Sequence, residues 1–176
     1  MNPFDLIIRE HTLILDLLNA LEKKIPTIQK QEEPPCFLHD VLDFFITYGD
    51  KTHHGKEEDI LFREIGQKNL KENLKKTLAK LLEEHVEARE KIQKLKTLHE
   101  KQQKGDTNAH TEIISLLKSF ITFYRKHIDT ENNHFFKEAL SHINEKELET
   151  LSKECAEFDR SMIHEKYKQA VQAMSQ

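Results

Sequence analysis

The histidines are the residues of this chain best suited to chemistry. There are 11 of them in 176 residues, together with 31 acidic residues, two cysteines and no tryptophan. Imidazole nitrogens bind transition metals, and carboxylates add negative charge and further ligand atoms. Several histidines fall within apolar helical stripes, and some are followed one helical turn later by a glutamate. This pattern predicts a metal site built from imidazoles and carboxylates.

Six side chains make up the predicted ligand set. Each of four predicted helices directs at least one of them inward when side chains are placed at about 100° per residue. A single histidine on an apolar face is usually an ordinary core residue. Burying four imidazoles and two carboxylates together is costly unless a cation of charge two or more compensates them. The predicted metal ligands are His11, His53, Glu57, His85, His127 and Glu131.

An internal repeat supports the same set. An offset of 74 residues converts the ligands of the first half into those of the second: His11 into His85, His53 into His127 and Glu57 into Glu131. Self-similarity of this kind is typical of a duplicated structural unit. The repeat therefore predicts a site with approximate twofold symmetry, to which each half supplies two imidazoles and one carboxylate.

The repeat also chooses between neighbouring residues. Within the run of residues 53–58, both the repeat and the helical phase select His53 and Glu57. His54 and Glu58 are expected to rotate toward solvent, and the alternative for both is a second-shell position or an extra ligand. Replacing His54 is accordingly expected to matter less than replacing His53.

The donor set indicates which metal to expect. Carboxylates and imidazoles without a thiolate suit a pair of non-haem iron ions first and manganese second, whereas zinc is usually satisfied by four ligands. Glu57 and Glu131 are expected to bridge the two ions, and each ion receives two imidazoles. Open positions on ferrous iron are where dioxygen, nitric oxide or peroxide bind.

Five helices are predicted to position these side chains. The first starts at the cap formed by Asn2 and Pro3 and is expected to end before Pro26. The other four are expected over residues 37–65, 70–104, 108–140 and 145–173. The predicted fold is all-α, an antiparallel up-down four-helix bundle over residues 1–142 with an additional C-terminal helix, residues 143–176, packed on the same domain.

Composition excludes several other classes of protein. The net charge is −4 with both signs interspersed, so a basic surface for nucleic acid is not expected. No apolar run approaches the roughly 20 residues of a membrane span. The N-terminus does not resemble a signal peptide, and two isolated cysteines favour a cytoplasmic protein. The chain has no flavin, haem or nicotinamide motif, so any electrons must come from an external donor.

The motifs that contain the six predicted metal ligands resemble the hemerythrin-like, HHE cation-binding family. The resemblance covers about residues 4–140 and implies a four-helix bundle with a non-haem di-iron centre. Its ligand set is similar to that of the family's di-iron proteins linked to repair of damaged iron centres and to nitric oxide chemistry. Those proteins also have an N-terminal domain with a cysteine pair, which this chain lacks. The segments that carry the resemblance are residues 9–11, 53–62, 84–85 and 127–131.

The chain also departs from the family's oxygen carriers. They have a second histidine one turn after the histidine of the third helix, where this chain has Arg89, and an aspartate where it has Glu131. Arg89 is therefore expected to leave one ion with an extra open position, which favours reactivity over reversible carriage. Tyr124 is expected to fill the core, with a hydrogen bond to a bound ligand as the alternative. His134, one turn after Glu131, is a candidate second-shell residue or extra ligand.

Three functions remain open at this stage. The first is a binding protein that senses or carries dioxygen or nitric oxide. The second is a di-iron oxidoreductase that reduces nitric oxide or peroxide with an external electron donor, or an iron donor for repair. The third is a helical interaction module whose histidines are incidental. The sequence does not decide whether the protein is an enzyme.

Overall fold

The computed structural model describes residues 2–34 and 36–174, with side chains as far as Met162, so the outermost residues of the two predicted domains lie outside it. The described residues are almost entirely helical and include no strand, which confirms the all-α class. None of the helices in this part is both long and apolar enough to span a membrane. The α-helices are α1 Pro3–Gln29, α2 Phe37–Asp43, α3 Arg63–Gly66, α4 Glu72–Gln103, α5 Thr107–Thr130, α6 Phe136–Ala139 and α7 Glu145–Met174.

Wider π-helical turns join some of these α-helices into longer stretches. The segments Phe44–His54 and Glu57–Phe62 connect α2 to α3, so that residues 37–66 form one unbroken helical stretch. A third π-helical segment, Glu131–Phe135, and a final 3-10 turn extend α5 to residue 142. The four helices predicted after α1 therefore agree with the structure to within two residues at each end.

The prediction that the first helix ends before Pro26 is wrong. Asn2 caps α1 as expected, because its side-chain oxygen accepts a hydrogen bond from the backbone N–H of Phe4 at 3.0 Å. The helix then continues through Pro26 to Gln29. Proline removes one backbone hydrogen bond and crowds the preceding turn. The buried side chains of Ile25 and Ile28 continue the apolar stripe past it, and their packing outweighs that cost.

The apolar core of the described residues falls into two clusters with polar side chains between them. On α1, Ile7 belongs to one cluster and Ile14 to the other, and the buried imidazole of His11 stands between them. His85 occupies the corresponding place on α4. The same apolar stripes that hold the helices together therefore place these two imidazoles at mid-height in the interior.

The helix α7 packs onto one side of this assembly. Leu151 and Cys155 are buried in the cluster that contains Ile7. At the surface, an ion pair of 2.6 Å joins Glu154 to Arg63. These contacts place α7 against the helical stretch 37–66, which carries two of the predicted ligands.

Candidate metal centre

The structure brings all six predicted ligands together in one buried cluster. They come from α1, from the helical stretch 37–66, from α4 and from the stretch 107–142, as the repeat requires. None of the six is more than 2% exposed. The residues concerned are His11, His53, Glu57, His85, His127 and Glu131.

Glu57 lies at the centre of the first group of contacts. Its carboxylate oxygens are 3.4 Å from Nε2 of His85 and 3.5 Å from Nε2 of His11. They are 3.6 Å from Nε2 of His53, one turn earlier on the same helical stretch. One carboxylate therefore faces imidazoles from three different stretches of helix.

Glu131 occupies the equivalent place in the second half. Its oxygens lie 3.1 Å from Nε2 of His11, 3.3 Å from that of His127 and 3.7 Å from that of His85. His11 and His85 thus stand between the two carboxylates and contact both. The two carboxylates therefore share two imidazoles, one from each half of the repeat.

The inward-facing atoms lack hydrogen-bond partners among the described residues. Orphaned buried polar atoms are rare in proteins, because each has given up water without compensation. Here they converge, and a multivalent cation would satisfy them together. They include Nε2 of His11, His85 and His127 and all four carboxylate oxygens of Glu57 and Glu131.

Within the described part of the chain, the potential ligand atoms form two overlapping groups that share Glu57. The atoms of each group lie within 4.8 Å of one another, and every residue concerned is buried. The first group is His11, His53, Glu57 and Glu131. The second group is His54, Glu57, His85 and His127.

The position of His54 corrects the prediction that it rotates toward solvent. Its side chain is fully buried and belongs to the second group. The reason is that Phe44–His54 is π-helical, and a π-helix advances by less than 100° per residue. The phase calculated for an α-helix was therefore wrong at this point, and His53 and His54 both face the interior. The adjacent histidines were the sequence signal, and π-helical turns are frequent at functional sites.

A glutamate from a neighbouring helix orients one imidazole in each half. Nδ1 of His53 lies 3.1 Å from a carboxylate oxygen of Glu10, and Nδ1 of His127 lies 2.9 Å from one of Glu84. A proton on Nδ1 that is donated to the carboxylate leaves Nε2 free to bind metal. The two pairs are related by the 74-residue repeat. Glu10 and Glu84 lie in the segments that carry the family resemblance, but sequence analysis did not identify this role.

The other two imidazoles are oriented in the same manner. Nδ1 of His85 lies 2.7 Å from a carboxylate oxygen of Glu58, and Nδ1 of His11 lies 2.8 Å from the amide oxygen of Asn132. Glu58 therefore takes the second-shell alternative given for it above. Asn132 was missed, although it is the counterpart of Glu58 under the repeat. All four imidazoles thus present Nε2 to the cluster.

The remaining candidates lie in three different settings. Arg89 turns away from the cluster toward Asp50 and Glu58, and the imidazole of His54 lies in the group where an extra open position was expected. Tyr124 is buried, with its ring stacked 6.0 Å from that of His54. His134 is exposed and belongs to neither metal-capable group of the described residues.

The charges of the cluster depend on one another. Burial alone lowers the pKa of the His11 imidazole, but the nearby Glu131 and Glu57 outweigh burial and raise it to about 10. Burial and Glu57 raise the pKa of Glu131, and the surrounding imidazoles overcome both and lower it to about 2. Burial, followed by the neighbouring His85 and His53, holds the pKa of His54 well below its ordinary value. Burial likewise lowers the pKa of His85, but Glu131, Glu57 and Glu58 outweigh it and raise that pKa well above its ordinary value. Without metal, the cluster therefore combines ionised carboxylates, protonated His11 and His85 and a neutral His54.

A buried lysine links this site to α7. The ammonium group of Lys56 is 1% exposed, bonds to Glu10 and lies 2.6 Å from a carboxylate oxygen of Asp159. Glu10 is the same residue that orients His53. These groups, with Tyr48, line part of a surface pocket of about 630 Å³. The contacts connect the outside of the molecule to one ligand through a single carboxylate.

Comparison with known proteins gives one family. The model of the Hemerythrin HHE cation binding domain matches residues 2–139, a span that contains every residue of both metal-capable groups and ends before α7. No significant match was found among curated proteins or among solved structures. The match extends over most of the chain, and cation binding by histidine and glutamate is the chemistry that the buried cluster can perform. The chain therefore belongs to the hemerythrin HHE cation-binding domain family.

Proposed function

We propose that this protein holds two non-haem iron ions and uses them to bind or react with dioxygen, nitric oxide or peroxide. The observation that carries the proposal is the convergence of buried, unpartnered imidazole and carboxylate atoms. In this proposal four of the helical stretches run alternately up and down around the ions. Two iron ions would supply Lewis acidity and one-electron chemistry at vacant coordination positions. Manganese is the second choice of metal.

The ligands divide between the two proposed ions in an unequal way. His11 and His53 would hold one ion, and the other would be held by His54, His85 and His127. Glu57 and Glu131 stand between the two sets. This division adds His54 to the six ligands predicted from the sequence. For the four imidazoles other than His54, the acceptor on Nδ1 then determines which nitrogen faces the ion.

Aromatic rings line the cluster and favour small uncharged ligands. The ring of Phe62 stacks on His85 at 5.6 Å, and that of Phe136 stacks on His11 at 6.1 Å. An anion or a bulky organic molecule would lose much of its hydration on entering such surroundings. Dioxygen and nitric oxide are uncharged and poorly hydrated, so this environment supports them as ligands ahead of peroxide.

Metal analysis of the purified protein tests the proposal. We expect about two iron ions per chain, as in helix bundles with paired carboxylate sites. The variants His53→Ala, His54→Ala and Glu131→Ala should each lower this content sharply. The exposed His134, changed to alanine, is the matched control and should leave it unchanged. Full iron content in Glu131→Ala would remove the site as proposed, and full content in His54→Ala would remove its third imidazole.

Rapid mixing of the reduced, iron-loaded protein with dioxygen and, separately, with nitric oxide distinguishes binding from catalysis. A long-lived spectral species that reverses when the gas is removed supports a carrier or sensor. Repeated turnover on addition of an external electron donor supports an oxidoreductase, because the sequence contains no electron-carrying cofactor motif. Bleaching with release of iron to a chelator supports an iron donor.

A further inference from the structure

One arginine connects two of the carboxylates that surround the metal-capable cluster. Nε of Arg89 donates a hydrogen bond of 2.7 Å to Oδ1 of Asp50, and a second guanidinium nitrogen donates one of 2.7 Å to Oε1 of Glu58. The planar guanidinium suits this task, because its donors are fixed relative to one another. Asp50 and Glu58 are eight residues apart on the helical stretch 37–66, whereas Arg89 is on α4. The arginine therefore ties two helices together across one side of the cluster.

Both carboxylates also face imidazoles of the same metal-capable group. Oε1 of Glu58 lies 2.7 Å from Nδ1 of His85 and is the same atom that Arg89 contacts. Oδ1 of Asp50, likewise shared with Arg89, lies 3.5 Å from Nδ1 of His54. His54 and His85 stack on each other with ring centroids 3.9 Å apart. A single guanidinium thus stands behind two stacked imidazoles of one group.

Among the residues that the structure describes, the other half has no equivalent network. Under the 74-residue repeat, the four polar residues Arg89, Asp50, Glu58 and His54 correspond to Leu15, Tyr124, Asn132 and Ile128. Among these counterparts, Asn132 alone bonds to a ligand, through Nδ1 of His11. The six-residue ligand set is symmetric, but the groups that support it from outside are not.

We propose that Arg89 is a positioning residue for one of the two metal positions only, acting through Asp50 and Glu58 on His54 and His85. This inference rests on the proposed di-iron function. It goes beyond that function because it assigns a role to a residue that lies outside both metal-capable groups. It requires the two ions to be held with different strengths, and it requires loss of Arg89 to affect one ion and spare the other.

Variants of this side chain and of its opposite number test the proposal. Arg89→Leu removes the bridge, whereas Asn132→Ala removes the acceptor behind His11 on the other side. Arg125→Leu is the control, because Arg125 is 35% exposed against 38% for Arg89 and bonds to two partners, Glu22 and Asn19, away from the cluster. Each protein is loaded with ⁵⁷Fe, exposed to a chelator and followed by Mössbauer spectroscopy, which resolves iron ions in different environments.

The expected result is a selective loss. Arg89→Leu should release one of the two iron signals faster than the wild type, by up to about 10–100-fold, the loss of metal affinity that follows removal of a ligand's own hydrogen-bond partner. Asn132→Ala should accelerate release of the other signal, and Arg125→Leu should accelerate neither. Thermal unfolding of the metal-free variants measures separately any loss of stability that comes from untying the two helices.

Other outcomes would overturn the inference. Equal acceleration of both signals in Arg89→Leu, or unchanged release of both, would mean that this arginine is only a surface link between helices. Loss of the same signal in Arg89→Leu and Asn132→Ala would contradict the assignment of separate positions. A wild-type protein that binds no iron would overturn the proposed function as well, whereas full iron content with unselective release overturns the positioning role alone.

Discussion

At the residue scale, the cluster is held in the metal-free protein by charges that a metal would replace. Glu131 and Glu57 remain ionised next to a protonated His11, whereas His54 is kept neutral by burial and by its histidine neighbours. Metal binding requires the opposite state of His11, because an imidazole must be deprotonated to coordinate. Proton release is therefore part of metal uptake at this site.

The pH dependence of stability follows from these pKa values. The pKa of His11 is raised from 6.5 to about 10, so its stabilising effect is complete below pH 6.5 and is lost as the pH rises toward 10. The free energy of unfolding of the metal-free protein should therefore fall over this interval, as urea denaturation at a series of pH values would measure. His11→Gln should reduce the fall, and the part that remains should come from His85, whose pKa is also raised because Glu131, Glu57 and Glu58 outweigh burial. In the iron-loaded protein the free energy of unfolding should instead rise with pH, because fewer protons compete with the metal for the imidazoles.

The lowered pKa of His54 makes the stability of the metal-free protein fall toward acidic pH. Because this pKa is lowered, the neutral imidazole supports folding above the unfolded value of 6.5, and that support is lost as the pH falls. Stability of the metal-free protein should thus pass through a maximum near neutrality. A profile that is flat between pH 7 and pH 10 would contradict the charge pattern described for this cluster.

The meeting of six of the cluster residues could be predicted because helical phase and the internal repeat agree on them. His54 could not, since a phase of 100° per residue assumes an α-helix and nothing in the local propensities announces a π-helical turn. The acceptors Glu58 and Asn132 meet their imidazoles only through packing between helices, which a single helix does not specify. The repeat could have found Asn132, because this residue takes the place of Glu58 in the second half.

At the element scale, packing decided the points on which local rules failed. Proline predicts the end of α1, yet the buried Ile25 and Ile28 carry the helix one turn further. The all-α class and the helix bounds could be predicted because apolar residues recur at helical spacing over long segments. The close approach of α7 to the helical stretch 37–66 could not, since Phe158 packs where a side chain at Gly55 would stand.

Replacing Gly55 by alanine tests this helix contact. The new Cβ would lie 2.7 Å from Cζ of Phe158, so the ring must move, and overpacking of this kind costs about 1–3 kcal/mol. Alanine gains up to about 1 kcal/mol over glycine within a helix, which offsets part of the loss. Denaturant unfolding should show a net destabilisation in the wild type. In a Phe158→Ala background, Gly55→Ala should stabilise instead.

Gly66 provides the control for that experiment. A Cβ at this position would meet Leu78 at 3.8 Å, an ordinary van der Waals distance. Gly66→Ala should therefore be tolerated in both backgrounds. If the wild type tolerated Gly55→Ala equally well, α7 would be able to move, and the contact with Phe158 would not set the distance between α7 and the helical stretch 37–66.

At the scale of the whole molecule, three helices meet at the side chain of Lys56. It joins Glu10 of α1 to Asp159 of α7, and through Glu10 it adjoins the imidazole of His53. The family match ends before α7, so this junction couples the matched region to a helix outside it. The stability of the cluster should therefore depend on a residue that does not bind metal.

Lys56→Met should be strongly destabilising. Removing one partner of a buried ion pair leaves the other uncompensated and costs about 3–5 kcal/mol. The double variant Lys56→Met with Glu10→Gln should recover much of that loss, because the stranded carboxylate is removed. Lys24→Met is the control: Lys24 is 46% exposed in its pair with Glu33, and such pairs contribute about 1 kcal/mol or less. Equal losses in the two single variants, measured by urea unfolding, would argue against the buried network.

The 74-residue relation between the two halves gives each position a partner for comparison inside the same molecule. Glu10 and Glu84 have the same role in the two halves, because each accepts a hydrogen bond from Nδ1 of one imidazole. The same substitution at either position gives two variant proteins of identical composition, size and net charge. Any divergence between two such isomeric proteins must then arise from surroundings that the two halves do not share. The lysine beside Glu10 is the buried Lys56, whose counterpart is Thr130, whereas the lysine beside Glu84 is the exposed Lys80. Each variant in one half therefore has a matched control in the other half of the same chain.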